Sequence, residues 1–364
     1  MAEKNRGISP ELLIHPGETI SDLLEERGIS QKELARRTGV SEPFLSDVIH
    51  GKKDISRGLA KGLEYATGVS ASFWLKLQAN YDAELLEYKE TESISEEERK
   101  AFTVLHDVIS YLKARSLIPE GLKKDQTILH SRKVLHISNL DNLRGIVSEG
   151  ALRISEKQKI NPHVFGAWFS LCKIKESEIG VRKQYDPNET DQLISELKKI
   201  MLEHDEDPKN ELQELFADYG IEFDIMKNFR GAPVQGYISK KSEGIYKMIL
   251  TIRGAYADIF WFSLFHELGH IVNGDVNGSY IDSEDLNHDE REEKADRFAA
   301  DVLLNGESYD RFVERCDYTI QAIKRYAESE NVPVYIVIGR LQKEKIIPYS
   351  YFNDYKLKYQ WIEA

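Results

Sequence analysis

The segment from residue 258 to 274, DIFWFSLFHELGHIVNG, constrains the fold of this chain more than any other. It reads as one long helix with an apolar stripe that packs into a core. Yet it carries His266, Glu267 and His270. Polar groups taken out of water need partners. Positions i and i+4 share one helical face, so both imidazoles can reach a single metal ion. The glutamate between them then stands beside the water that the ion polarises. This pattern makes His266 and His270 candidate zinc ligands and Glu267 the candidate general base.

A catalytic zinc needs a third protein ligand and an open position. Glu292 and Asp296 stand one turn apart in the following helical pattern, EREEKADRFAADVLL. Glu292 can take the metal, and Asp296 can accept a hydrogen bond from the outer nitrogen of a ligand histidine. The alternative with a third histidine, HExxHxxGxxH, is absent, because Asn273 and Val276 occupy the two remaining positions. His288, in an acidic loop, competes as third ligand. Asp289, Glu290 and Glu293 read as a solvated face, so the choice of Glu292 rests on spacing. Phe260, Trp261, Leu264 and Phe265 read as core. The stretch YKMILTIR just before them is either an ordinary sheet strand or an edge strand able to hold an extended peptide.

Composition sets the frame. With 364 residues and 41% apolar content, the chain can bury a sizeable core in two or three domains. A net charge of −13 excludes a uniformly basic nucleic-acid coat, so any DNA contact must come from a local patch. The two cysteines, Cys172 and Cys316, argue against a disulfide scaffold and against a cysteine-based zinc site. The first residues lack the apolar core of a signal peptide, and the longest apolar run is too short to span a bilayer. A cytoplasmic protein without a membrane partner is expected.

The patterning predicts a mainly α chain with a small sheet, an α+β arrangement in three regions. Residues 1–88 form an all-α helix-turn-helix domain, 89–205 a helical linker or middle region, and 206–364 a zincin-like metallopeptidase domain. Ser30, Ser41, Ser56 and Ser70 each stand where a helix N-cap is wanted. IEFDIM and GIYKMILTIRG read as strands. The charged stretch KETESISEEERK after Tyr88 reads as a linker or the start of a solvated helix.

SQKELARRTG and SEPFLSDVIHGKK, joined at Gly39 and Val40, have helix-turn-helix spacing, with the second helix as reader of the major groove. Leu34, Ala35, Val40, Leu45 and Val48 would pack the helices together, leaving Ser41, Glu42, Pro43, Phe44, Asp47 and His50 facing outward. Gln31, Lys52 and Lys53 sit at helix ends where phosphates can be held. Six basic against four acidic side chains between residues 31 and 57 is a weak positive balance for DNA affinity. A small protein-interaction domain is the competing reading. YTIQAIKRYAESENVPVYIVIGRLQ has a similar cadence, but its apolar content favours packing on the catalytic domain.

RGAYADIFWFSLFHELGHIVNG and EREEKADRFAADVLL resemble the ImmA/IrrE family of metallo-endopeptidases, and Val334 to Gln342 looks like that family's closing helical region. The resemblance implies zinc held by His266, His270 and Glu292, with Glu267 as catalytic base. It also implies a protein substrate such as a transcriptional repressor. HPGETISDLLEERGISQKELARRTGVS and FWLKLQANYD resemble the Xre-type, HigA-like antidote domain. That resemblance implies a homodimer on palindromic operator DNA and a HigB-like toxin as partner. Two functions follow. One is a DNA-binding regulator fused to a zinc endopeptidase that cleaves a regulatory protein. The other is a non-proteolytic antitoxin and autorepressor whose zinc domain serves as sensor or scaffold.

Overall fold

Four serines start four of the first five helices. Ser30, Ser41, Ser56 and Ser70 accept, through Oγ, from the backbone N–H groups of Glu33, Phe44, Leu59 and Phe73. Each thereby satisfies one of the donors that a helix start leaves open. The helices are α2 (Gln31–Thr38), α3 (Glu42–Ile49), α4 (Arg57–Thr67) and α5 (Ala71–Glu92), preceded by α1 (Pro16–Arg27). Ile20, Leu34, Leu45, Val48, Leu59, Leu63 and Trp74 form their common core and are essentially inaccessible to solvent.

This computed structural model describes residues 13–146, 160–177, 179–203, 208–276, 279–282 and 290–361. The fold is mainly helical with one small sheet. Contacts divide the chain into two compact units. The first runs to Arg99 and takes in Pro119–Ser131; the second comprises Lys100–Ile118 and continues from Arg132. Residues 89–205 contribute to both. They include α6 (Glu96–Val104), α7 (His106–Ala114), α8 (Lys124–Val134), α9 (Pro162–Ile174) and α10 (Thr190–Glu203), with α11 (Lys209–Ala217) just beyond. No helix among the described residues is long and apolar enough to cross a membrane.

The second unit is built on a four-stranded sheet: β1 (Ile221–Met226), β2 (Gly236–Ser242), β3 (Ile245–Thr251) and β4 (Ser279–Asp282), in the order β1-β3-β2-β4. β1 runs parallel to β3, while β2 is antiparallel to both β3 and β4. Phe223, Met248 and Ile238 align across three strands and pack into the main core with α12 (Ala257–Asn273). On the opposite face, Tyr237 meets the rings of Trp168 and Phe169 from α9. Glu222 pairs there with Lys241 at 2.7 Å, and Asp224 pairs with Lys175. Burial lowers the Lys175 and Lys247 ammonium pKa values, against the pull of the facing carboxylates. Three helices close the unit: α13 (Glu290–Leu303), α14 (Gly306–Glu314) and α15 (Ile320–Glu330), followed by α16 (Val334–Lys343). Tyr335, Ile336, Val337, Ile338 and Leu341 of α16 are buried in the core, so this helix cannot enter a DNA groove.

The sheet corrects one alternative and adds an element. YKMILTIR lies on β3, hydrogen-bonded on both sides by β1 and β2, so it is not an edge strand. The short polar stretch GYISKKS, which carries little strand signal, forms β2. In the first unit, Leu45→Ala leaves a cavity that should cost about 2–5 kcal/mol. Faster amide hydrogen exchange across α2 and α3 checks this, and unchanged rates would sink it.

Candidate metal centre and helix-turn-helix surface

The metal helix is anchored at its start. Asp258, in the first turn of α12, pairs with Lys356 at 2.8 Å, and both side chains are nearly buried. Burial raises the Asp258 carboxyl pKa, while the Lys356 ammonium pulls it down. Around this pair the backbone of Ala257 donates to Leu357 O and that of Tyr359 to Ala255 O. Phe260, Trp261, Leu264 and Phe265 lie in the core, which fixes the helix about its own axis.

Gly269 sets the distance to the neighbouring helix. A Cβ there would come within 3.1 Å of Ala295 Cα and of the Phe298 ring. Without one, α13 comes close enough to bring Glu292 and Asp296 against the two histidines. His266 Nδ1 lies 2.8 Å from Asp296 Oδ1, and His270 Nδ1 lies 3.0 Å from Asp275 Oδ1. A carboxylate only accepts, so each Nδ1 carries the proton and each Nε2 presents a lone pair. The two Nε2 atoms stand 3.2 Å apart. Glu292 places Oε2 at 3.2 Å from His266 Nε2 and Oε1 at 3.5 Å from His270 Nε2. Three acceptor groups thus converge on one point, which is the arrangement a cation satisfies. Among the described residues, His266, His270 and Glu292 form a group able to hold a metal ion. Burial, followed by the neighbouring His266, lowers the His270 pKa and favours the neutral imidazole that a metal requires.

Glu267 is fully buried on the same helix. It faces Gly236 on β2, where a Cβ would fall 1.9 Å from Oε1. Glu290 and Glu293 are exposed on α13, while His288 and Asp289 lie outside the described residues. Sequence reading did not single out Asp275 and Gly236. A carboxylate just past Gly274, which caps α12, was the available signal for Asp275.

On the first unit, Ser41, Glu42, Pro43, His50, Lys52 and Lys53 are exposed. Phe44 departs from its expected outward position: it is half-buried and packs against the unit's core. Asp47 is also half-buried and pairs with Lys53 at 2.9 Å. The hydrogen bond from Lys53 lowers the Asp47 pKa. Lys53 also lies 5.2 Å from the centre of the Phe44 ring, so one ammonium group contacts both side chains of α3. Gln31 is half-buried at the start of α2.

With these geometries in view, two family models match. Residues 257–336 match the IrrE N-terminal-like domain. Residues 20–74 match the helix-turn-helix model. The chain therefore carries a helix-turn-helix region and an IrrE-like region. Virulence-associated protein A′ of Dichelobacter nodosus is 42% identical over 69 residues, which are 19% of this chain and 60% of that relative's length. Among solved structures, a Pseudomonas aeruginosa protein in complex with its operator DNA is 36% identical, over 20% of this chain and 80% of that one, with a TM-score of 0.20. The Pseudomonas aeruginosa antitoxin HigA, solved with its promoter, is 32% identical over 23% and 96%, with a TM-score of 0.21. A HigA-family antidote protein from Coxiella burnetii is 28% identical over 22% and 87%, also at 0.21.

Asp275→Ala frees the outer nitrogen of His270. It should weaken metal binding by about 10–100-fold with helix content intact. A zinc titration against a fluorescent chelator measures the change, and wild-type affinity in the variant would remove Asp275 from the site.

Proposed function

We propose that this chain is a DNA-binding transcriptional regulator joined to a zinc-dependent endopeptidase that cleaves a regulatory protein, a repressor being the leading candidate. One observation carries the peptidase half: the close spacing of the donor groups of His266, His270 and Glu292. The two Nε2 atoms are 3.2 Å apart, and the Glu292 carboxylate meets them with one oxygen each, Oε2 at 3.2 Å from His266 and Oε1 at 3.5 Å from His270. Tetrahedral bonds of about 2.0–2.1 Å give edges of about 3.3 Å. Two imidazoles and a carboxylate are also a donor set that leaves a fourth position open for catalysis. Zinc bound there supplies a Lewis acid that polarises a peptide carbonyl and makes water a stronger acid.

The protein's own groups do the rest. His266, His270 and Glu292 hold the ion, while Asp296 and Asp275 fix the imidazole tautomers. Glu267 takes a proton from the attacking water and passes it to the leaving amine nitrogen. Its carboxylate is set against Gly236 in a fully buried position, where proton transfer is shielded from bulk solvent.

Wild type should carry close to one zinc per chain, and His270→Ala should carry none, by elemental analysis. Glu267→Gln should keep the zinc and slow cleavage by about 10²–10⁴-fold. Profiling of new protein N-termini in cells expressing each form checks the second part. Identical termini from Glu267→Gln, or a folded wild type that refuses resupplied zinc, would refute the peptidase reading.

The self-contained core of the first unit and its match to the helix-turn-helix model support a second reading. Here a homodimer represses its own operon, with a HigB-like toxin as partner, and the metal domain is a sensor or scaffold. A two-fold dimer would present two reading helices to a palindromic operator. Purified full-length protein should shift a duplex from its own promoter at low salt, and Lys52→Ala should weaken the shift on every sequence alike. Equal binding to a scrambled duplex would remove the regulator reading.

A further inference from the structure

The strand beside the metal centre is β2, and its outer edge is occupied. Two contacts set β2 along the metal helix. Gly236 faces the Glu267 carboxylate, and Ile238 lines one small pocket together with His270, Asp275, Val276 and Arg291. From Gly236 to Ile238 the strand therefore tracks the helix from Glu267 to His270. β3 covers one edge of β2; on the other lies β4, antiparallel, with Asp282 opposite Gly236 and Tyr280 opposite Ile238. Neighbouring strands lie about 4.8 Å apart. The backbone of β4 consequently runs one strand spacing from the residue that abuts Glu267.

We propose that the outer edge of β2 is a docking surface for an extended peptide, and that the chain's own β4 fills it in place of a substrate strand. The idea rests on the peptidase reading for its consequence, which is self-inhibition, but not for the strand exchange itself. Edge strands recognise peptides through main-chain hydrogen bonds, with side chains adding selectivity. Among the described residues β4 is the last strand on that side of the sheet, so nothing in them holds its other edge. It is also tied closely to the site: Asp275, which holds His270, lies four residues before Ser279. A short tether gives β4 an effective concentration in the millimolar range, so an incoming peptide must outcompete it or β4 must first be released.

The test removes the pairing. In an antiparallel strand successive N–H groups point to opposite sides, so Tyr280→Pro and Ile281→Pro, made separately in the full chain, strike the two sides of β4. The variant that loses its donor to β2 should raise hydrogen exchange at residues 236–239 by about tenfold, each lost backbone bond being worth a factor of about 2 to 12. That variant should also bind a fluorescein-labelled peptide, VNGSYIDS, corresponding to residues 276–283, at least about tenfold more tightly than wild type in an anisotropy titration. Ile281→Gly, which keeps the N–H and only loosens the strand, should give an intermediate response and keeps the test readable if proline disturbs folding. Each measurement is run with zinc and with a chelator. Peptide uptake without any zinc binding would uphold the docking edge while sinking the peptidase reading. Stoichiometric zinc with equal exchange in wild type and all variants, or an opened edge that takes no peptide, would overturn the docking edge alone.

Discussion

The approach of α13 to α12 across Gly269 is the contact on which the candidate centre depends. Glu292 and Asp296 both sit on α13, one reaching the inner nitrogens and the other an outer nitrogen. A side chain at position 269 would push the helices apart by an amount comparable to the tolerance of a metal–ligand bond. A hydrogen atom in place of a methyl group thus sets how closely Glu292 can approach the two histidines. The anchor at Asp258 and Lys356 complements this contact by fixing where α12 begins, while Gly269 fixes how near α13 lies.

Much of this was legible because it is local. Serine caps declare themselves within three residues, and all four proposed from sequence cap their helices. The HExxH spacing and the acidic pair at 292 and 296 follow from helical periodicity alone. What rests on tertiary contact was not legible. β1 alternates apolar and acidic residues, the pattern of a half-solvated strand, yet all six residues are buried because lysines from other segments meet Glu222 and Asp224. Gly236 looks like any strand glycine until Glu267 is seen against it. Phe44 has the spacing of an outward residue, yet the turn of α3 lays it along the core.

The two units solve opposite electrostatic problems. On the proposed regulator reading, a chain of net charge −13 gains near phosphates from masking acidic groups on α3. Lys53 folds back over Asp47 and Phe44, giving up a cation to do so. In the second unit, acidic groups are gathered behind two histidines, where each carboxylate sets a tautomer or offers a ligand.

The anchor of the metal helix also carries a consequence for synthesis. Trp261 donates to the hydroxyl of Tyr359, 98 positions later, and Lys356 reaches Asp258 over a similar span. At about 5–20 residues per second, the ribosome needs roughly 5–20 s to make the intervening chain. During that interval the helix bearing His266, Glu267 and His270 lacks its fixed start. The first unit has emerged by then with its core complete, so a nascent chain can hold a folded helix-turn-helix before its candidate metal site is assembled.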